Sequence, residues 1–137
     1  MAGMLYQEEL MDHYRNPRNR GVLAVCDFKG DDYNPSCGDR VSVTGTVSAD
    51  TIDQIQFSAS GCVLSQAAAS MLSERCKGKT ISAIMALNRD DMLQMVGIEL
   101  GPTRLKCALL CLHVLQEGLR VYAAHKINHT SCNLKGS

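Results

Sequence analysis

Residues 41–76, VSVTGTVSADTIDQIQFSASGCVLSQAAASMLSERC, change their hydrophobic period part-way along, and that change decides the fold. In the first half Val41, Val43 and Val47 alternate with polar residues, and Ile52, Ile55 and Phe57 follow beyond Ser48-Ala49-Asp50-Thr51. Alternating apolar positions on either side of a short polar turn predict an antiparallel β-hairpin. After Gly61 the pattern becomes helical: Val63, Leu64, Ala67, Ala68, Met71 and Leu72 recur up to Lys77-Gly78, where glycine suits a helix C-cap.

Downstream, Thr80 to Leu87 and Asp90 to Val96 read as two short helices, the second closed by Gly97. Pro102 opens a last helix with an apolar stripe of Leu105, Ala108, Leu109, Leu112 and Leu115. Upstream, Leu5, Tyr6, Leu10, Met11 and Tyr14 predict a helix that stops at Asn16-Pro17, since a residue before proline is pushed out of the α region. Asn16 to Gly21 then form a basic turn, and a third strand is expected within Val22 to Phe28 or just before Asn34. Strands precede most of the helices, so the expected class is α+β: a small three-stranded antiparallel sheet with helices packed on one face, in one domain over residues 1–137.

Composition narrows the function. The 137 residues carry 14 Lys+Arg against 14 Asp+Glu, and this balance argues against nucleic acid or an anionic membrane as the main partner. No apolar run approaches the ~18 residues that span a bilayer, and the acidic N-terminal stretch lacks an export signal, so a cytoplasmic protein is expected. Cysteine is the unusual residue, with seven in the chain: Cys26, Cys37, Cys62, Cys76, Cys107, Cys111 and Cys132. In a reducing compartment these are core filler, metal ligands or reactive thiols.

Three cysteines occupy chemically distinctive places. Cys37 lies in the turn Asn34-Pro35-Ser36-Cys37-Gly38-Asp39, where Gly38 frees the backbone and lets Cys37 and Asp39 point at one site. Cys62 stands at a strand-to-helix junction, whose unpaired N–H groups favour a thiolate. Cys107 follows Arg104 and Lys106 at the start of the last helix. Three thiolates and a carboxylate would suit a tetrahedral zinc ion or an exposed iron–sulfur cluster. The spacings match neither a zinc finger nor a ferredoxin, so spacing alone leaves a metal site and buried structural cysteines both open.

Five motifs occur in order: Tyr14-Arg15-Asn16-Pro17-Arg18-Asn19-Arg20-Gly21, Asn34-Pro35-Ser36-Cys37-Gly38-Asp39, Gly61-Cys62 with its Ser/Ala-rich helix, Lys77-Gly78-Lys79, and Arg104-Leu105-Lys106-Cys107-Ala108. Over about Leu5 to Gly118 the chain resembles the IscU/SufU (NifU N-terminal domain) scaffold family; residues 119–137 would be the end of the last helix and a tail. The resemblance implies a protein that takes sulfur from a cysteine desulfurase, assembles a [2Fe–2S] cluster and passes it to apo iron–sulfur acceptors. It implies Cys37, Asp39, Cys62 and Cys107 as ligands, with zinc as an alternative occupant. Within that frame Cys107 is expected to accept sulfur first, with Cys62 as competitor, and Lys106 to compensate a site charge of about −2. Asp39, a harder donor than the thiolates, is expected to be the labile ligand.

Two departures qualify the kinship. Lys106 stands where the IscU branch has histidine, as in SufU, yet Arg89 to Thr103 is too short for SufU's insertion. Leu100-Gly101-Pro102-Thr103-Arg104 keeps only the leucine, one proline and the base of the Leu-Pro-Pro-Val-Lys segment that an Hsp70-class chaperone binds in IscU, which weakens that expectation. The runner-up function is therefore a zinc-dependent sulfur acceptor for a desulfurase. A Cys107/His113 hydrolase and a purely structural zinc module rank lower, because residues six apart on a helix face different ways and Asp is an uncommon ligand in closed zinc sites.

The remaining candidates have ordinary readings. Cys26 and Cys76 suit packing, and Cys111, one turn beyond Cys107, has a minor chance of approaching the site. His125, His129 and Cys132 form a tail cluster, and His13 and His113 are expected at helix surfaces. Met71, Met85, Met92 and Met95 are expected to pack, and Arg15, Arg18 and Arg20 to be a solvated turn.

Overall fold

The computed structural model describes residues 2–35 and 38–125, with side chains in the first helix described from residue 7. The elements run α1 (Ala2–Arg15), β1 (Phe28–Asn34), β2 (Asp39–Ser48), β3 (Thr51–Ser60), α2 (Val63–Cys76), α3 (Ile81–Met85), α4 (Arg89–Val96) and α5 (Pro102–Ala124). The strands form one antiparallel sheet in the order β1-β2-β3. Of the two places expected for the third strand, the stretch ending at Asn34 is the one that pairs, with Phe28 opposite Gly45 and Asn34 opposite Asp39.

Register positions the site. β2 starts at Asp39 and β3 ends at Ser60, which lies opposite Arg40. The chain leaving β3 through Gly61 into α2 therefore passes beside Asp39. The hairpin turn is tighter than four residues, because Ser48 pairs with Thr51 and only Ala49 and Asp50 lie between them. The outer edge of β3 is covered by main chain: Phe57 N–H donates to Asn19 O (2.8 Å), and Gly21 N–H donates to Phe57 O (2.9 Å). Closing an edge in this way removes a template for unwanted strand pairing.

Helices α5 and α2 cover the sheet, α5 on β1 and β2 and α2 on β3. Val41, Val43, Ile52, Ile55, Leu72, Leu115 and Leu119 are fully buried between these layers. Helix α2 is buried on nearly every side, from Leu64 to Ser73, because α1, α5 and the sheet all flank it. Helix α5 approaches β1 through two glycines: a Cβ on Gly30 would lie 2.5 Å from Val114 O, and one on Gly118 would lie 2.8 Å from Lys29 O. Met71 and Met92 are buried, and Met85 and Met95 pack against the core, as expected.

Two expectations need correction. His13 is not at a helix surface: it is 4% exposed, and its Nδ1 lies 2.7 Å from Ser70 Oγ, because this face of α1 packs on α2. The basic turn is also more than a solvated loop. Arg18 pairs with Asp12 (2.5 Å), its N–H donates to Ser70 Oγ (2.8 Å), and Asn19 Nδ2 donates to Ser73 Oγ (3.0 Å). Arg15 and Arg20 are exposed, as expected.

Candidate metal centre

Asp39, Cys62 and Cys107 each direct a donor atom to one place, and these three atoms lie within 4.8 Å of one another. They come from a strand start, a helix cap and the second turn of a helix. Asp39 is fully buried, Cys107 is 3% exposed and Cys62 is half-buried. Tetrahedral donors bound at ~2.3 Å sit about 3.8 Å apart, so a small inward adjustment would bring this group around an ion. Cys37, the fourth ligand implied by the resemblance, lies outside the described residues.

Asp39 organises the centre. Cys62 N–H donates to its Oδ1 (2.8 Å), while Cys62 Sγ (3.2 Å) and Ser65 Oγ (2.5 Å) donate to its Oδ2. Burial alone would raise this carboxyl's pKa, but hydrogen bonds from Ser65, Cys107 and Cys62 outweigh it and hold the group well below its ordinary range. The carboxylate is thus ionised and ready to bind a cation. Cys62 caps α2, its sulfur accepting Ser65 N–H (3.4 Å). At Gly61 φ is +112, and a Cβ there would lie 2.1 Å from Asp39 Oδ1, so only glycine lets β3 turn into α2 over the carboxylate.

The other candidates separate from this group. Cys76 and Cys111 are fully buried in the core, and burial pushes both thiols up to about 12, so they are inert packing groups. Cys26 is also buried, but it is disulfide-bonded and so is not the free packing thiol expected. Lys106 and Arg104 are exposed, and the Lys106 side chain makes no hydrogen bond or ion pair among the described residues. His113 is exposed and faces Asp32 (3.4 Å). His125 closes α5, while His129 and Cys132 lie outside the described residues. Sequence reasoning passed over Ser65, which is fully buried among the donors; its place on the first turn after a candidate ligand was the available signal.

A family model described as NifU-like N terminal domain matches residues 5–129. The chain belongs to the NifU-like N-terminal domain family. Within that family it is 35% identical over 135 residues to the Bacillus subtilis protein named zinc-dependent sulfurtransferase SufU, covering 84% of this chain and 89% of the relative. It is 36% identical over 119 residues to the iron–sulfur cluster assembly scaffold protein IscU of Aquifex aeolicus, covering 85% and 75%. A crystal structure of a putative SUF-system scaffold protein from Fervidobacterium islandicum superposes with a TM-score of 0.70 at 27% identity, covering 87% of this chain and 99% of that one. That protein thus shares the overall fold described above. Among the described residues, no helix is long and apolar enough to cross a membrane.

Proposed function

We propose that this protein is an iron–sulfur cluster assembly scaffold. It accepts sulfur from a cysteine desulfurase, combines it with iron into a [2Fe–2S] cluster and passes the cluster to apo-proteins, acting as a carrier without catalytic turnover. The observation that carries this reading is the meeting of Asp39, Cys62 and Cys107. Soft thiolates suit iron in a sulfide cluster, and the harder carboxylate supplies a ligand that lets go. Cys37 completes the proposed set. The altered Leu100–Arg104 segment gives no ground for adding an Hsp70-class chaperone to the partners, and ligand cysteines kept as thiols fit work in the cytoplasm.

Exposure favours Cys62 over Cys107 as the proposed sulfur acceptor. An attacking thiolate must reach the desulfurase persulfide, form a bond to its outer sulfur and release the desulfurase thiolate. Cys107 is 3% exposed, whereas Cys62 is half-buried at a helix N-terminus, so Cys62 is the better acceptor of the two. Lys106 keeps its proposed role as a compensating charge.

A second reading has its own support. Lys106 immediately before Cys107 and the likeness to SufU both favour a zinc site that exchanges a ligand during sulfur transfer. Anaerobic reconstitution with iron, desulfurase and cysteine separates the two. A visible absorption spectrum and transfer to apo-ferredoxin support the scaffold; colourless protein with tight zinc and strong desulfurase stimulation supports the second reading. In the scaffold reading Asp39→Ala retains its cluster longer than the parent, and faster loss to the acceptor would refute the labile-ligand role.

A further inference from the structure

Ser65 lies among the donors without belonging to the proposed ligand set. It is fully buried in the first turn of α2, out of reach of water that could otherwise satisfy its hydroxyl. Its Oγ donates to Asp39 Oδ2 (2.5 Å) and lies 3.6 Å from Cys62 Sγ and 3.4 Å from Cys107 O. A hydroxyl carries one proton and serves one of these acceptors at a time. Asp39 Oδ1 is already taken by Cys62 N–H, and Oδ2 is the oxygen that faces the Cys62 sulfur. The oxygen that would bind a metal is therefore the one Ser65 holds.

We propose that Ser65 is a positioning residue that sets how readily Asp39 releases a bound metal, its hydroxyl competing with the ion for Asp39 Oδ2. With the hydroxyl turned to the Cys107 carbonyl, Oδ2 would be free to hold an ion; with the hydroxyl on Oδ2, the carboxylate would be a weaker donor. A hydrogen bond aimed at a carboxylate is strong enough to matter in this competition. The proposal rests on Asp39 being a ligand, and the test treats that point separately.

The probes are Zn2+ and Co2+ alone, added to the full chain. Ser65→Ala removes the competitor and leaves Asp39 held by Cys62 N–H, so zinc passes to a chelator more slowly than from the parent, by roughly tenfold. Ser65→Thr keeps the hydroxyl and restores the parent rate. The Co2+ ligand-field bands shift in the alanine variant and stay in place in the threonine variant, a signature that loss of packing alone would not produce. Release from Ser65→Ala that matches or exceeds the parent rate overturns the proposal, as do alanine and threonine variants that behave alike. Ser65→Gly, which also lacks the hydroxyl, carries the test if Ser65→Ala does not fold. Asp39→Ala with an unchanged Co2+ spectrum overturns the ligand assignment and the proposal with it, whereas a changed Asp39→Ala spectrum beside an unaffected Ser65→Ala overturns Ser65's role alone.

Discussion

At Gly61 the backbone runs so close to Asp39 that a methyl group has no room, and its φ of +112 is one that L residues rarely adopt. Gly61→Ala is expected to push the carboxylate off Cys62 N–H and Ser65, at a cost of about 2–3 kcal/mol and with weaker zinc binding. Urea unfolding and zinc titration check this, and an unchanged zinc affinity would contradict it. His13 gives a pH dependence. Burial holds its imidazole below the ordinary 6.5, and the Arg18 charge lowers it further. The Glu74 carboxylate, 3.6 Å from Nε2, favours the charged ring, but burial and Arg18 outweigh it. The unfolded chain then binds the proton first as pH falls, so stability is level above about 6.5 and declines below it. Urea midpoints should drop between pH of about 7.5 and 5, and drop less in His13→Gln. Asp39, held below its ordinary 3.8, stays ionised throughout that window. Along the chain Gly61-Cys62 read as a strand-to-helix junction, but the need for glycine was hidden, because the atom it must avoid belongs to a residue 22 positions away.

The hairpin was legible because alternation is a local property, whereas its turn was not. Ala49 and Asp50 take φ of 52 and 61, the left-handed pair of a two-residue type I′ turn, which alanine does not advertise. Ala49→Asn is expected to raise stability by about 0.5–1 kcal/mol, seen as a higher Tm, with zinc affinity unchanged because the turn and Asp39 lie at opposite ends of β2. β1 was hard to place for the opposite reason. Its sequence, FKGDDYN, carries little alternation, since part of its contact with α5 is made by the Gly30 backbone. Pairing with β2, not local propensity, makes it a strand.

Across the whole molecule, the seat of α5 on β1 governs where Cys107 lies. Gly118 and Gly30 permit that close approach, so Gly118→Ala is expected to cost about 1–3 kcal/mol and to weaken zinc binding, although residue 118 is far along α5 from Cys107. A variant that loses stability while keeping the parent zinc affinity would show that the seat and the site are uncoupled. Hydrophobic period together with glycine and proline punctuation was enough to order strands and helices and to mark the thiols with distinctive neighbours. The proposed ligand set came from kinship, since its spacing carried no recognisable pattern. That Asp39, Cys62 and Cys107 face one another around Ser65, that Cys111 turns into the core one turn later, and that His13 is buried on α2 were decided only by the folded arrangement. The direction and burial of a side chain depend on sheet register and helix seating, which are contacts between residues distant in the chain that no local period encodes.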